Sequence, residues 1–287
     1  MNLLNSKIGY FFYLILQNRF VQRLISSEDK IKINEVNNKF NNIRADYNFK
    51  DYQSGKNWSS FIKGQDYRDW TKYFPVFNRN VRVLEIGPGS GYYSRFICEN
   101  EKVENYSFCE LNINFREYLI NNLNKLQHTK KNFNFYAYDK DFLKEKSDYK
   151  FDYIFFLSSF HHISNRVDYF KKCFNSLNVG GKIIFIEPTH YFFRIFTICK
   201  KFLTTYRKFN REQIIENCST HAFCTHAEFK YISKNFRNAY EQKYYWIVKS
   251  KKIKKILYFV KIKFIKNFIK KFFSAEMVVI ILKKNNS

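Results

Sequence analysis

Three glycines at alternate positions, Gly87, Gly89 and Gly91, interrupt the chain between an apolar run, Val81-Arg82-Val83-Leu84, and a stretch with helical character at 92–99. The context matters more than the glycines. A turn of this kind needs positive φ angles and lets backbone approach a ligand with no Cβ in the way. The helix behind it presents unpaired N–H groups to any anion lying there. Strand, glycine turn and helix in that order open a βαβ unit, and the following sequence continues the alternation.

A second strand is expected at 106–110, a helix at 113–126 and a third strand at 134–138. The run 152–157 is continuously apolar, as a strand covered on both faces should be. A helix at 167–177 then leads through Gly180-Gly181 into a fifth strand at 182–186. Beyond position 190 the pattern is less regular, with a helix at 226–235, strands at 241–248 and 277–282, and a Lys-rich segment at 249–271. Residues 1–50 read as helical and 51–80 as a mixed aromatic stretch that contains Trp58, Tyr67, Trp70 and Tyr73. With 287 residues and no internal repeat, one domain with insertions is the economical organisation.

Dinucleotide-binding turns place a further glycine where this chain has Tyr92. The loop therefore suits a carboxylate-bearing adenosine ligand better than a pyrophosphate. The string Val83-Leu84-Glu85-Ile86-Gly87-Pro88-Gly89-Ser90-Gly91 resembles the first motif of the class I S-adenosylmethionine-dependent methyltransferases. Four further stretches resemble the family in the same order. Phe108-Cys109-Glu110-Leu111-Asn112 ends the second strand, and Asp139-Lys140 follows the third. The run from Phe151 to Ile163, which includes Leu157, His161 and His162, resembles the fourth motif. Leu177-Asn178-Val179-Gly180-Gly181 leads into the fifth strand, with Val179 where the family usually has proline.

The resemblance implies a Rossmann-like, doubly wound α/β fold. Its seven-stranded sheet carries helices on both faces and an antiparallel last strand, with a helical N-terminal cap and C-terminal insertions. It implies a cap at 1–79, a cofactor-binding core at 80–190, a lid with a completing helix and strand at 191–248, a basic amphipathic insertion at 249–274 and a terminal strand at 275–287. S-adenosyl-L-methionine is the implied cofactor. Its site would comprise Glu85, Gly87, Pro88, Gly89, Gly91, Glu110, Leu111, Asp139, Lys140 and Leu157. Glu110 corresponds to the family's ribose ligand, which suits a carboxylate because it can accept two hydrogen bonds from a diol. Asp139 corresponds to the residue that contacts the adenine amino group, with Lys140 offering backbone.

Methyl transfer by displacement needs a base only when the attacking atom is protonated. His161 and His190, near the carboxyl ends of strands four and five, are the candidate bases, whereas His162 reads as structural. Cys218-x-x-His221-x-x-Cys224-x-His226 does not match a common zinc spacing, and no metal is expected. That stretch reads instead as part of a lid.

Composition bears on the partner. Lys and Arg total 50 against 25 acidic residues, a net charge of +25. The excess favours a polyanion: nucleic acid, an anionic membrane or a phosphorylated substrate. The aromatic share of 21% follows in part from a codon bias that also enriches Lys, Asn and Ile. On a helical wheel, Ile253, Ile256, Leu257, Val260, Phe264 and Phe268 share one arc and most lysines of 250–273 another, the pattern of a helix lying in a membrane interface or of one packed on the core with a solvated lysine face. Tyr191-Phe192-Phe193-Arg194-Ile195-Phe196 and the apolar run at 8–16 have the same character, and the latter is too short to span a bilayer. The six cysteines are scattered, as reduced thiols of a cytoplasmic protein would be, here with peripheral attachment at the inner membrane face.

The function that follows is methyl transfer to a small-molecule or lipid-linked acceptor. RNA methylation and a non-catalytic scaffold are the alternatives. Against RNA, no RNA-binding module is recognisable, and the fourth motif reads Leu157-Ser158-Ser159-Phe160, without the Asn/Asp-Pro-Pro-aromatic signature of amino-directed base methylation.

Overall fold

The protein is described from a computed structural model. It describes residues 73–145, 148–163, 166–188, 226–233, 240–274 and 276–284, with residues 24–33, 35, 57–60, 6, 8 and 9. The expected elements at 1–23, 36–56 and 191–225, including Tyr191–Phe196 and most of the Cys/His stretch, lie outside the described residues.

Seven strands form one sheet in the order β3-β2-β1-β4-β5-β7-β6, with the last strand antiparallel. In chain order the elements are β1 (Val81–Ile86), α1 (Tyr92–Cys98), β2 (Val103–Cys109), α2 (Ile113–Thr129), β3 (Asn134–Tyr138), β4 (Phe151–Leu157), α3 (Arg166–Asn175) and β5 (Leu177–Pro188). Then come α4 (His226–Ile232), β6 (Tyr240–Ile247), α5 (Lys251–Phe259), α6 (Lys263–Phe273) and β7 (Glu276–Lys283). The alternation expected from the apolar pattern is therefore present, and the parallel pairs β1–β2, β1–β4, β2–β3 and β4–β5 join consecutive βαβ units.

Burial along the strands follows their place in the sheet. Central β1 and β4 are apolar on both faces: Val83, Leu84, Ile154, Phe155 and Phe156 are all fully buried. Edge strands β3 and β6 are mostly half-exposed. Helix α2 buries Phe115, Leu119 and Leu123, spaced four apart on one face. Asn112 caps its start, its side chain accepting the Phe115 N–H at 3.0 Å. Aromatic residues fill much of the core: Phe156 stacks on Phe185 with ring centroids 4.8 Å apart, and Phe74 stacks on Phe155 at 4.7 Å. Such pairs contribute about 1 kcal/mol beyond the burial of their area.

By backbone contacts the chain divides into two units. One comprises 42–186, 236–244 and 278–287; the other comprises 1–41, 187–235 and 245–277. Within the second, the single amphipathic helix expected across 250–273 is two helices, α5 and α6, broken at residues 260–262. The break falls at Val260-Lys261-Ile262, where two β-branched side chains favour the extended backbone observed at both Val260 and Ile262.

Candidate active site

The carboxyl ends of β1, β2, β3 and β4 lie side by side, so the segments that follow them meet at one edge of the sheet. In the register Ile86 pairs with Cys109 and Cys109 with Tyr138. The Gly87 N–H continues the ladder, donating to Cys109 O at 2.8 Å. The glycine loop, Glu110 and Asp139 are thereby brought together from positions spread between Gly87 and Asp139.

All three loop glycines have positive φ: 67° at Gly87, 56° at Gly89 and 74° at Gly91. Two of them are also sterically required. A Cβ on Gly87 would stand 2.8 Å from Ser159 Cβ, and one on Gly91 would stand 2.6 Å from Leu119 Cδ1. At Gly89 a Cβ would meet nothing within 4 Å. The loop is thus pressed onto the core at both ends and open in the middle. Gly91 occupies the cap position of α1.

Two acidic side chains lie beside this loop, and one of them bonds it. Glu110 accepts the Gly89 N–H through Oε2 at 2.8 Å and the Asn112 N–H through Oε1 at 2.9 Å. Desolvation raises its pKa, partly offset by these backbone donors. Glu85 sits at the end of β1 and is 1% exposed. Its Oε2 accepts the Tyr106 hydroxyl at 2.6 Å, while its Oε1 is buried with no partner among the described residues. Burial pushes this carboxyl up to about 7, the Tyr106 and Ser94 hydroxyls acting in the opposite sense. A buried carboxyl oxygen without a donor is costly and invites a ligand that brings one.

Around these two lie the other expected positions. Pro88 is buried in the loop. Leu111, next to Glu110, is 63% exposed, a large apolar side chain at the mouth of the site. Asp139 and Lys140 are exposed beyond β3. The Asp139 carbonyl accepts Arg116 Nη1 at 3.3 Å, and the Lys140 carbonyl accepts the Cys109 thiol at 3.3 Å. Leu157 is buried at the end of β4. His161 is half-buried in the short 3₁₀ turn Phe160–His162, its ring 4.0 Å from that of His162. His162 is exposed, and its backbone N–H donates to Ser159 O at 3.0 Å. His190 lies outside the described residues.

Three residues that the sequence did not single out complete the loop's support. Ser159 donates through Oγ to Ile86 O at 2.5 Å and packs on Gly87. Tyr106 carries the hydroxyl that holds Glu85. Trp58 donates its backbone N–H to Ser90 O at 3.2 Å, and its ring lies 3.2 Å from where a Gly91 Cβ would be. Tyr106 was findable, because an inward tyrosine in a central strand needs a buried acceptor. Nothing local marks Trp58 as a loop partner. Among the described residues, no group of three or more His, Cys, Asp or Glu side chains could hold a metal.

Comparison with known proteins agrees with this geometry. Residues 84–183 match a family model described as a methyltransferase domain. No curated protein matches the chain. Among solved structures, the plantazolicin methyltransferase BpumL, in complex with a triazolic desmethylPZN analog and SAH, superposes with a TM-score of 0.54. That match has 15% sequence identity and covers 90% of this chain and 98% of the other. The plantazolicin methyltransferase BamL, with the same kind of analog and SAH, gives 0.51 at 13% identity, covering 90% and 97%. At such identities the likeness is one of fold.

Proposed function

We propose that this chain, a class I S-adenosylmethionine-dependent methyltransferase, passes the cofactor's methyl group to a small-molecule or lipid-linked acceptor met at an anionic membrane face. One observation carries the reading: Glu110 is clamped to the Gly89 amide at the open centre of a glycine loop. Both of its oxygens keep lone pairs beyond those used by Gly89 and Asn112, enough to accept a vicinal diol.

The residues fit the cofactor. The space above Gly89 is the cradle that a Cβ would begin to fill. The unpartnered Glu85 Oε1 is an acceptor suited to an ammonium group, reached directly or through water. Exposed Leu111 and buried Leu157 offer apolar surface to a purine. Exposed Asp139, beyond β3, brings a carboxylate suited to an exocyclic amine, with Lys140 offering backbone beside it. Gly87, Pro88 and Gly91 hold the turn that shapes the cradle.

When bound, S-adenosylmethionine supplies an electrophilic methyl group open to in-line displacement. The chain's part is positioning, together with proton removal where the acceptor atom carries one. His161, half-buried at the end of β4, is the base that this geometry favours; His190 is the alternative. The three described cysteines, Cys98, Cys109 and Cys173, are free and buried, which supports a reducing, cytoplasmic setting. No helix among the described residues is long and apolar enough to cross a membrane. The net charge of +25 favours a second reading, RNA as acceptor.

Calorimetric titration with S-adenosylmethionine tests the cofactor site, and transfer of labelled methyl into lipid extract against total RNA tests the acceptor. Binding by the wild type with label entering lipid is the expected result. A folded protein that binds no cofactor overturns the enzyme reading, and label entering only RNA overturns the acceptor.

A further inference from the structure

Helix α6 differs from the helices of the sheet core in what it does with its apolar residues. At about 100° per residue, Phe264, Ile265, Phe268, Ile269, Phe272 and Phe273 occupy one half of its circumference. Lys263, Lys266, Asn267, Lys270 and Lys271 occupy the other half. Helix α2 buries Phe115, Leu119 and Leu123 on its apolar face, whereas α6 buries no residue at all. Phe264 is 79% exposed, Phe268 59% and Ile265 42%.

The exposed apolar surface continues through the break between the helices. Ile262 in the connection and Phe259 and Tyr258 at the end of α5 are 61%, 68% and 82% exposed. Only Leu257 of α5 is buried. The base of this two-helix element is tied down. Lys249 pairs with Glu276 at 2.5 Å, so the chain entering and the chain leaving are joined. The Lys271 ammonium lies 5.9 Å from the Trp246 ring centroid, and Ser274 Oγ donates to Lys271 O at 3.1 Å. The element is therefore held at its root while its tip displays large apolar side chains.

Charge identifies what covers them. Residues 249–275 hold ten lysines and no acidic residue. We infer that the α5–α6 element is a docking surface for an anionic phospholipid bilayer, with Phe259, Ile262, Phe264, Ile265 and Phe268 entering the interface and the lysines lying against headgroups. A bilayer accepts both halves of the pattern at once, because acyl-chain boundary and anionic headgroups lie within one side-chain length of each other. A nucleic acid would use the lysines but offers isoleucines nothing to stack on. A second copy of the chain would cover the apolar half while bringing ten more lysines to the same place. The inference rests on the membrane part of the proposed function and is independent of the cofactor site. It supplies a reason for a lipid-linked acceptor: the enzyme would be concentrated where that acceptor resides.

The test is co-sedimentation of the full chain with phosphatidylcholine vesicles containing or lacking about 30 mol% phosphatidylglycerol. The wild type should pellet with the anionic vesicles only. Phe264→Glu/Phe268→Glu should lower the bound fraction about tenfold or more at unchanged net lysine content. Both side chains are exposed, so the thermal midpoint and the calorimetric affinity for S-adenosylmethionine should match wild type. Should that variant fail to fold, Ile262→Asn, in the connection between the helices, serves in its place. Failure of the wild type to pellet, equal binding to neutral vesicles or undiminished binding by the variants overturns the inference. So does a dimer that the same substitutions dissociate, or RNA binding that displaces vesicles and ignores Phe264 and Phe268. Loss of cofactor binding in the wild type would instead overturn the methyltransferase reading, leaving the vesicle result to stand alone.

Discussion

The carboxylate of Glu110 accepts the backbone N–H of Gly89 at 2.8 Å, across 21 residues of sequence. One side chain thus fixes the open centre of the glycine loop and keeps acceptor capacity for a ligand. Charge-assisted hydrogen bonds of this kind contribute about 1.5–3 kcal/mol each. Glu110→Ala should therefore weaken S-adenosylmethionine binding by about 10- to 100-fold in a calorimetric titration. Retained affinity would remove Glu110 from the cofactor site.

Gly89→Val should abolish the same binding for a different reason. A β-branched residue is strained at the observed φ of 56°, and its side chain would enter the open space over the loop. Because no described residue would lie within 4 Å of the new Cβ, the variant should stay folded by circular dichroism.

Glu85 predicts a pH dependence. Its carboxyl is raised by burial to about 7, so in the range between the ordinary carboxylate value and 7 the folded protein holds a proton that the unfolded chain has released. This contribution to stability is complete at low pH and is lost as pH rises through 7, amounting to about 3 kcal/mol. Glu85→Gln should flatten the midpoint of thermal unfolding between pH 5 and 7 (roughly that window). In the wild type an ammonium ligand favours the ionised carboxylate, so cofactor affinity should climb with pH across the same interval and stay level in the variant.

His161→Ala separates binding from chemistry. Cofactor affinity should remain within about twofold of wild type, while methyl transfer to lipid extract falls by about 100-fold or more. Equal activity in the variant would assign the base elsewhere, with His190 next in line.

Phe156→Ala probes the core that supports the site. Phe156 is fully buried, stacked on Phe185 and in edge contact with Phe160 in the turn that carries His161. Urea denaturation should show a loss of about 3–5 kcal/mol.

Much of the fold could be read from periodicity, and the exceptions are informative. The five core strands were legible because short runs of four to six residues alternate with helical stretches at βαβ spacing. The pair of helices at 251–273 was not, because a wheel records only angular position, and Val260 falls on the apolar arc even though its backbone is extended.

The sequence by itself determined the order of elements and the chemistry available at each strand end. Both follow from local rules: where glycine must stand, where a run is apolar, where an acid ends a strand. Tertiary structure decided which of those groups meet. Ser159 and Leu119 enforce Gly87 and Gly91 from 72 and 28 positions away, and Tyr106 holds Glu85 from the neighbouring strand. Trp58 closes the loop from a segment with no motif at all. Those partners are set by parallel strand register and by helix packing, which depend on the whole sheet, and no short stretch of sequence encodes them. The same distinction separates α2 from α6: both are amphipathic on paper, and only the folded chain leaves one of them with its phenylalanines in the open.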